Sequence, residues 1–257
     1  MNKVRCVLLI GCLYFAVALP VEAEKPLRAR DLFLSGTEQQ RPPKSGEPIS
    51  AKTSYPLGLR YSILKQVGQT SVEVDPESVF RSGDRIRLNV QANDTGFLYI
   101  VLRGSSGRWS PLFPSKEILN GNNRVERGNQ YEIPLGSVWF AFDEQPGTEK
   151  LFIVLSRQPE PDFEKLVKSL RDSSGESANP PQKASESKGE ESAVQVVSSL
   201  DDEAIGKMRG QVRSRDLIFE KVEDGPPGGK KEKAVYVVNR TGKSDSRVVV
   251  DVSLNHQ

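Results

Sequence analysis

Apolar and polar residues alternate along much of this chain with the period of two that is typical of a half-buried β-strand. Ile86, Leu88 and Val90 are each flanked by polar residues, and the same alternation recurs between residues 57 and 67 and between 248 and 254. Each of these segments is predicted to be a strand with one face in the core and the other in solvent.

Further apolar segments lie between turn signals such as Asn-Asp-Thr-Gly and Gly-Ser-Ser-Gly. They predict additional strands at residues 70–74, 97–103, 108–113, 124–133, 137–142, 149–156, 216–222 and 233–239. The short intervals leave no room for parallel β-α-β crossovers. The predicted fold class is all-β, mainly an antiparallel β-sandwich of Ig-like or related type, with two short helices and a disordered insertion.

Two of the predicted strands are apolar on both faces, because residues 97–102 read FLYIVL and residues 151–155 read LFIVL. A two-sheet sandwich removes only the inner face of each sheet from water, so another element has to cover the outside of these strands. We expect a helix at 161–171 and the segment after the insertion to do so.

The two helices are predicted from their starts and their apolar stripes. Pro161 suits the first position of one helix. Its apolar stripe is Phe163, Leu166, Val167 and Leu170. Ser199 suits the N-cap of the other. Its apolar residues are Ile205, Met208 and Val212. Both stripes are expected to be packing surfaces rather than parts of a cofactor site.

Composition divides the chain into five parts. The residues from 35 to 56 are polar and proline-rich, and those from 172 to 192 lack any aromatic or large aliphatic side chain. The predicted parts are a signal peptide at 1–23, a flexible lead-in at 24–56, a sandwich core with its closing helix at 57–171, a disordered linker at 172–192, and a C-terminal helix and strands at 193–257 that complete the same fold. RARDLF (28–33) and RSRDLIF (213–219) are both interpreted as basic lead-ins to a strand anchored by phenylalanine.

The N-terminal segment has the layout of a secretory signal peptide, with a basic start, an apolar stretch and a small residue at Ala23. Cleavage there predicts a mature chain that begins at Glu24 and contains neither Cys6 nor Cys12, so no disulfide would stabilise it. We therefore expect an exported protein, periplasmic or secreted, without a membrane span after cleavage. An uncleaved membrane anchor and a lipoprotein attached through Cys12 are the alternatives.

The stretch from Phe80 to Ser115, followed by NNRVERGNQYEIP and FAFDEQPGTEKLFIVLSRQPE, resembles the bacterial family known as domain of unknown function 4384. The shared features are the strand start at Gly96-Phe97-Leu98-Tyr99, the strand end at Leu112-Phe113-Pro114 and the turn at Pro146-Gly147-Thr148-Glu149. The resemblance covers about residues 57–157. It implies a β-rich accessory domain of secreted or envelope proteins and brings no established catalytic residues.

The residues offer little for catalysis or for a cofactor. The one histidine, His256, is the penultimate residue, and a chain end usually frays. Neither a phosphate-binding glycine loop nor a cysteine ligand set is expected in the mature chain. We predict a non-enzyme without cofactor or metal, although carboxylate-only catalysis stays open. A net charge of +2 gives no indication of a nucleic-acid partner.

Aromatic and arginine side chains near the Gly-Ser-Ser-Gly turn form the candidate binding surface, because such residues carry much of the energy at protein interfaces. The candidates are Trp109, Arg103, Arg108, Tyr99 and Trp139. Core filling is the alternative role for their rings. A calcium loop at Asp143, Glu144 and Glu149 is a second possibility, against which stands an ordinary solvated hairpin.

Two functional classes follow. The first is a non-catalytic module that binds a protein, peptide or glycan partner in the cell envelope. The second is a structural envelope protein or assembly subunit, whose sheet is completed by other chains and which has no discrete ligand.

Overall fold

A computed structural model describes residues 27–38, 55–105, 107–115, 121–173, 202–203, 205–207, 209–210, 216–223 and 232–257. The elements in chain order are α1 (Ala29–Glu38), β1 (Leu57–Val67), β2 (Thr70–Val74), β3 (Val79–Phe80), β4 (Arg85–Ala92), β5 (Gly96–Arg103), β6 (Trp109–Phe113), β7 (Arg124–Val125), β8 (Gln130–Ile133), β9 (Phe140–Ala141), β10 (Gly147–Ser156), α2 (Pro161–Ser173), β11 (Leu217–Val222), β12 (Ala234–Asn239) and β13 (Arg247–His256).

The strands form two sheets, and the predicted all-β sandwich is confirmed. Sheet A has seven strands in the order β11-β12-β1-β4-β8, with β2 also paired with β1 and β9 with β4. Sheet B has six strands in the order β3-β13-β10-β5-β6, with β7 also paired with β5. The pairings are antiparallel except for the short parallel contact of β13 with β3.

The main core lies between the sheets and is built from the alternating residues that the sequence pattern indicated. In β4 the inward side chains of Ile86, Leu88 and Val90 are each at most 2% exposed. Leu98, Ile100 and Leu102 of β5 and Leu151, Ile153 and Leu155 of β10 face them from sheet B. The register of β5 with β10 places Ile100 directly opposite Ile153.

The outer face of sheet B is also buried. A second apolar cluster contains Tyr99, Val101, Phe152 and Val154 from the sheet together with the apolar stripe of α2. Phe163 of α2 packs edge-on against Tyr99, with the ring centroids 5.2 Å apart. The described residues among 202–210 are helical, and Ile205 joins the same cluster with no exposed surface.

Strands from the C-terminal part of the chain lie in both sheets. β12 pairs with β1 and with β11 in sheet A, and β13 pairs with β10 along ten residues in sheet B. Val235 and Val237 of β12 and the even-numbered residues of β13 from Val248 to Leu254 belong to the core between the sheets. The predicted linker at 172–192 lies almost entirely outside the described residues.

A helix occupies part of the segment predicted as a flexible lead-in at 24–56, so that prediction is wrong for Ala29–Glu38. The cause is a third apolar cluster on the outer face of sheet A, where Phe33 packs edge-on against Tyr236 at a centroid distance of 5.2 Å. Glu220 of β11 fixes the start of the helix, because its carboxylate accepts hydrogen bonds from the Arg28 side chain and the Arg30 amide. RARDLF therefore begins a helix and not a strand.

Two further differences concern strand bounds. The segment predicted as one strand at 124–133 is two strands that pair with different sheets, β7 with β5 and β8 with β4. Gly128, at a φ of 78°, makes the turn between them, a conformation that side-chain-bearing residues rarely adopt. The strand β3 was not predicted, because two residues are too few to show an alternating pattern. It pairs with the end of β13.

Candidate functional site

Trp109 and Arg103, two of the predicted surface residues, lie on the outer face of sheet B and are covered by the chain itself. Trp109 is 6% exposed, and its indole Nε1–H donates a hydrogen bond of 2.8 Å to the Asp202 carboxylate. Arg103 donates to the other oxygen of Asp202 at 3.2 Å and lies 5.9 Å from the centroid of the Trp109 ring. The carboxylate therefore helps to cover the Trp109 indole, whereas the Arg103 side chain remains 33% exposed.

Tyr99 is also a core residue, with 1% of its surface exposed. Its hydroxyl donates to Glu164 of α2 at 3.0 Å and accepts the amide N–H of Glu160 at 3.0 Å. Burial, with Glu164 adding to it, raises the pKa of the Tyr99 phenol well above its usual range. These bonds fix the start of α2 on the sheet.

The five candidate residues do not form one exposed surface, and this correction has a simple physical cause. Tyr99 and Trp109 point outward from sheet B, as expected, but α2 and the 202–210 segment lie on top of them. Arg108 is exposed beside Trp109. Trp139 belongs to sheet A, since it directly precedes β9, which pairs with β4.

Trp139 is part of a surface that the sequence did not indicate as a unit. The Arg87 guanidinium lies 3.9 Å from the centroid of the Trp139 ring. The same guanidinium donates to the carbonyl of Val138 at 3.0 Å and to that of Gly136, and it pairs with Glu132 at 3.1 Å. Leu135 and Val138 belong to the same loop as Trp139 and are 40% and 42% exposed. We call Arg87, Leu135, Val138 and Trp139 the Arg87 surface.

The signal for the Arg87 surface was weak in the sequence. Arg87 occupies an outward position of β4 by alternation, and the loop after β8 carries three large apolar residues within five positions. Apolar residues that close together in a loop are unusual at positions with no strand period. Their contact with Arg87 depends on the pairing of β4 with β8 and β9, which the sequence does not reveal.

His256 is ordered, and the expectation of a fraying chain end is wrong. It belongs to β13, is 3% exposed and packs against Phe142 at a ring-centroid distance of 4.9 Å. Its Nε2–H donates to the carbonyl of Gln145, and the Asp143 carboxylate lies 3.5 Å away. The next residue is also held, because the Gln257 amide donates to Phe80 at 3.0 Å. Parallel pairing with β3 therefore anchors the chain end.

A small cavity of about 10 Å³, the size of one water molecule, lies between the sheets at the end that carries His256. Glu149 of β10 contributes the one charged group among the residues that line it. The others are Ile63, Ile86, Leu88, Leu102, Leu112, Phe140, Leu151 and Leu254. Burial raises the pKa of Glu149, with the Asp143 carboxylate adding to the increase and His256 opposing it.

Replacing Glu149 by glutamine is expected to stabilise the protein at neutral pH. The raised pKa means that the folded state binds the Glu149 proton more tightly than the unfolded state, so ionisation above that pKa favours unfolding. The Glu149→Gln variant should therefore melt at a higher temperature than the wild type at pH 7. The difference should shrink as the pH falls below about 4, where the carboxyl is protonated in both states.

Thermal unfolding followed by circular dichroism from pH 3.5 to pH 8 measures this difference. The matched control is Glu144→Gln, which removes the charge of an exposed glutamate in the same hairpin and should leave the melting temperature nearly constant. A Glu149→Gln variant that melts below the wild type at pH 7 would contradict the account.

The calcium loop that the sequence left open against a solvated hairpin involves Asp143, Glu144 and Glu149, which all lie within the described ranges. There, no group of three or more His, Cys, Asp or Glu side chains is arranged to hold a metal ion. Asp143 instead accepts the amide N–H of Gln145 at 2.9 Å. Of the helices in the same ranges, none combines the length and the apolar character needed to cross a membrane.

Residues 79–159 match the model of the family described as domain of unknown function (DUF4384). About a third of the chain is therefore similar to DUF4384 domains. From residue 79 onward, this confirms the resemblance expected for about 57–157, whereas residues 57–78 lie outside the match. The DUF4384 match begins at β3 and ends just after β10, so β1, β2 and the three C-terminal strands of the two sheets lie outside it.

The residues that carry the DUF4384 resemblance serve the fold. A Cβ on Gly96 would lie 2.5 Å from the carbonyl oxygen of Ser156, so a larger residue would push the paired strands apart. Phe113 has no exposed surface and fills the core. A Cβ on Gly147 would lie 3.0 Å from that of Ser105. These family features are packing requirements and do not indicate a ligand.

One curated relative is the peripheral-type benzodiazepine receptor-associated protein 1 of Mus musculus, which is 30% identical over 96 residues. The alignment covers 37% of this chain and 5% of the mouse protein, so the chain spans only a small part of that relative. No solved structure matches the chain.

Proposed function

We propose that this protein is an exported, non-catalytic β-sandwich module that binds a protein, peptide or glycan partner in the cell envelope. The observation that carries the proposal is the Arg87 surface. Tryptophan and arginine are the residue types most enriched among the energetically dominant residues of protein interfaces. Here the Arg87 side chain, which is 11% exposed, holds the Trp139 ring at 3.9 Å, and the same loop carries Leu135 and Val138, which are 40% and 42% exposed.

The fixed geometry of Arg87 supports binding at this surface. Its guanidinium has two carbonyl partners and one carboxylate partner in addition to the ring. A Trp139 ring that this largely buried guanidinium already holds loses little further side-chain entropy when a partner docks, so more of the contact energy appears as affinity. The Trp139 ring also offers a flat apolar face of the kind that peptide side chains and sugar rings pack against.

Export and the lack of catalysis are supported by the chemistry of the chain. A basic start followed by an apolar stretch and Ala23 has the layout of a secretory signal. The DUF4384 resemblance implies an accessory domain of envelope proteins. His256 is buried with both ring nitrogens away from solvent, which does not favour a role in proton transfer with a substrate.

Site-specific photo-crosslinking in cells that express the protein natively tests this proposal. A benzophenone amino acid at Val138 should give a discrete adduct, and the same group at Val72 should not, although the two positions are 42% and 44% exposed. Trp139→Ala should reduce the Val138 adduct by at least about tenfold, as expected for the loss of an anchor worth 1.4 kcal/mol or more. The exported chain in these cells should begin at Glu24.

Equal adducts at Val138 and Val72, or adducts at Val138 that survive Trp139→Ala, would contradict binding through the Arg87 surface. A chain recovered only from the cytoplasm with its first 23 residues intact would contradict export.

The alternative function, an assembly subunit without a discrete ligand, is favoured by the edge strand β11. Among the described residues, β11 pairs on one side only, with β12, and its Phe219 side chain is 55% exposed. An unpaired strand edge with an exposed aromatic ring is a template for another strand. Light scattering distinguishes the two functions, since an assembly subunit should form oligomers that Phe219→Lys disrupts, and a binding module should be monomeric.

A further inference from the structure

The apolar outer face of sheet B belongs to the DUF4384 match, but the segments that cover it do not. Trp109, Val101 and Phe152 lie within residues 79–159, whereas α2 and the 202–210 segment follow that range. We call Trp109, Arg103 and Phe152 the Trp109 face. In this chain the Trp109 face is occupied by a helical segment from outside the matched domain.

The two covering segments are held to different extents. α2 buries four apolar side chains, and its Glu164 carboxylate accepts the hydroxyl proton of Tyr99. Among the described residues of the 202–210 segment, Ile205 alone belongs to the apolar cluster. Among the described side chains, α2 therefore contributes four to the cluster and the segment contributes one.

The remaining contacts of the 202–210 segment are ion pairs at the surface. Lys207 pairs with Asp162 at 3.3 Å, with both side chains about two-thirds exposed. Arg209 binds Asp251 and lies 5.1 Å from the Phe152 ring centroid. Exposed ion pairs contribute little to stability because water and salt screen them. Among the described residues, the packing of Ile205 and the bonds of Asp202 are therefore the contacts that a displacing helix has to replace.

The Asp202 contacts define what an occupant of the Trp109 face must provide. The Trp109 indole N–H is largely buried and needs an acceptor, since an unsatisfied buried donor is costly. Arg103 beside it favours an acceptor that carries a negative charge. Ile205 has no exposed surface and lies three positions after Asp202, a spacing that puts both side chains on one side of a helix.

We propose that the Trp109 face is a docking site for an amphipathic helix of a partner protein, and that the 202–210 segment occupies this site until the partner displaces it. The partner helix carries an aspartate or glutamate three positions before a large aliphatic residue, as Asp202 and Ile205 do here. This inference goes beyond the proposed function, which uses the Arg87 surface on the other sheet. Either can fail without the other.

A labelled peptide with the sequence of residues 199–213 serves as the probe for the full-length protein. In the Asp202→Ala/Ile205→Ala variant the chain's own segment is weakened, and the peptide should bind with a fluorescence-anisotropy change that saturates. A tethered occupant acts at an effective concentration on the order of millimolar. The wild type should therefore bind the same peptide at least ~10-fold more weakly than the variant.

The fluorescence of Trp109 supplies a second readout in a Trp139→Phe background, which leaves Trp109 as the one tryptophan. Iodide should quench Trp109 more strongly in the double variant than in the wild type, and the peptide should restore protection. A control peptide with lysine at the positions of Asp202 and Ile205 should do neither. If the double variant loses its circular-dichroism spectrum, Asp202→Asn alone replaces it, since Ile205 is then retained.

Three outcomes would overturn the inference. They are a folded variant that does not bind the peptide, equal binding by variant and wild type, and equal binding of the control peptide. Crosslinking at Val138 involves none of these residues, so its result bears on the proposed function alone.

Discussion

A chain shortened to residues 24–171 is expected to be insoluble or molten. The truncation removes β13, which pairs with β10 along ten residues, and β12, which pairs with β1 inside sheet A. Six core side chains leave with them: Val235, Val237, Val248, Val250, Val252 and Leu254. At about 1.5–3 kcal/mol each, their burial represents roughly 9–18 kcal/mol before ordering costs, comparable with the whole stability of a domain.

Size-exclusion chromatography and thermal circular dichroism of the shortened chain measure this effect. The control is the full-length chain cut by trypsin at Lys183 or Lys188 in the predicted linker. It should migrate as one particle, because both pieces contribute strands to both sheets. A monomeric 24–171 chain with a cooperative transition would show instead that the C-terminal strands are dispensable for the fold.

The strands could be predicted because their side chains obey a local rule. Alternation placed Ile86, Leu88 and Val90 inward, and the core contains all three. The strands that are apolar on both faces were also informative, because an apolar outer face has to be covered by another part of the chain. That reasoning indicated a helix over Tyr99 and Phe152, and α2 lies there.

The helix α1 and the candidate surface could not be predicted in the same way. α1 is short and has polar residues at its end, so its helical state depends on packing of Phe33 against Tyr236, two hundred residues away in sequence. Trp109 lies on the edge strand β6 and was predicted as part of a binding surface. Its burial depends on Asp202, a contact between distant parts of the chain that no sequence period encodes.

Conversely, the Arg87 surface arises from a loop and a strand that each looked unremarkable. Arg87 reads as an ordinary solvated residue of β4, and Val138 and Trp139 read as part of a strand. The strand β9 is limited to Phe140–Ala141, which leaves Val138 and Trp139 in the loop before it. The pairing of β9 with β4 then brings the Trp139 ring to the Arg87 guanidinium, and composition alone does not reveal this pairing.

Alanine substitutions at Phe152 and Ile153 are both expected to destabilise the protein strongly, although these neighbours point to opposite faces of β10. Ile153 lies in the core between the sheets, and Phe152 lies under α2, and neither has any exposed surface. Phe→Ala in a buried site costs about 3–5 kcal/mol, and Ile→Ala about 2–5 kcal/mol, because a cavity remains. Chemical denaturation of the full-length variants measures both values.

The matched control is Lys150→Ala, which lies on the same strand and the same face as Phe152 but is exposed. It should change the free energy of unfolding by no more than about 0.5 kcal/mol. If Phe152→Ala cost no more than Lys150→Ala, the outer face of sheet B would be open to water in solution.

A double-mutant cycle then identifies what covers that face. Phe152 and Phe163 of α2 lie 5.9 Å apart by ring centroid, so their alanine substitutions should cost less together than the sum of the single costs, with a coupling of about 0.5–1.5 kcal/mol. Ile153→Ala and Phe163→Ala belong to different clusters and should be additive within about 0.5 kcal/mol. Coupling confined to the Phe152 pair would mean that α2 stays on sheet B in solution.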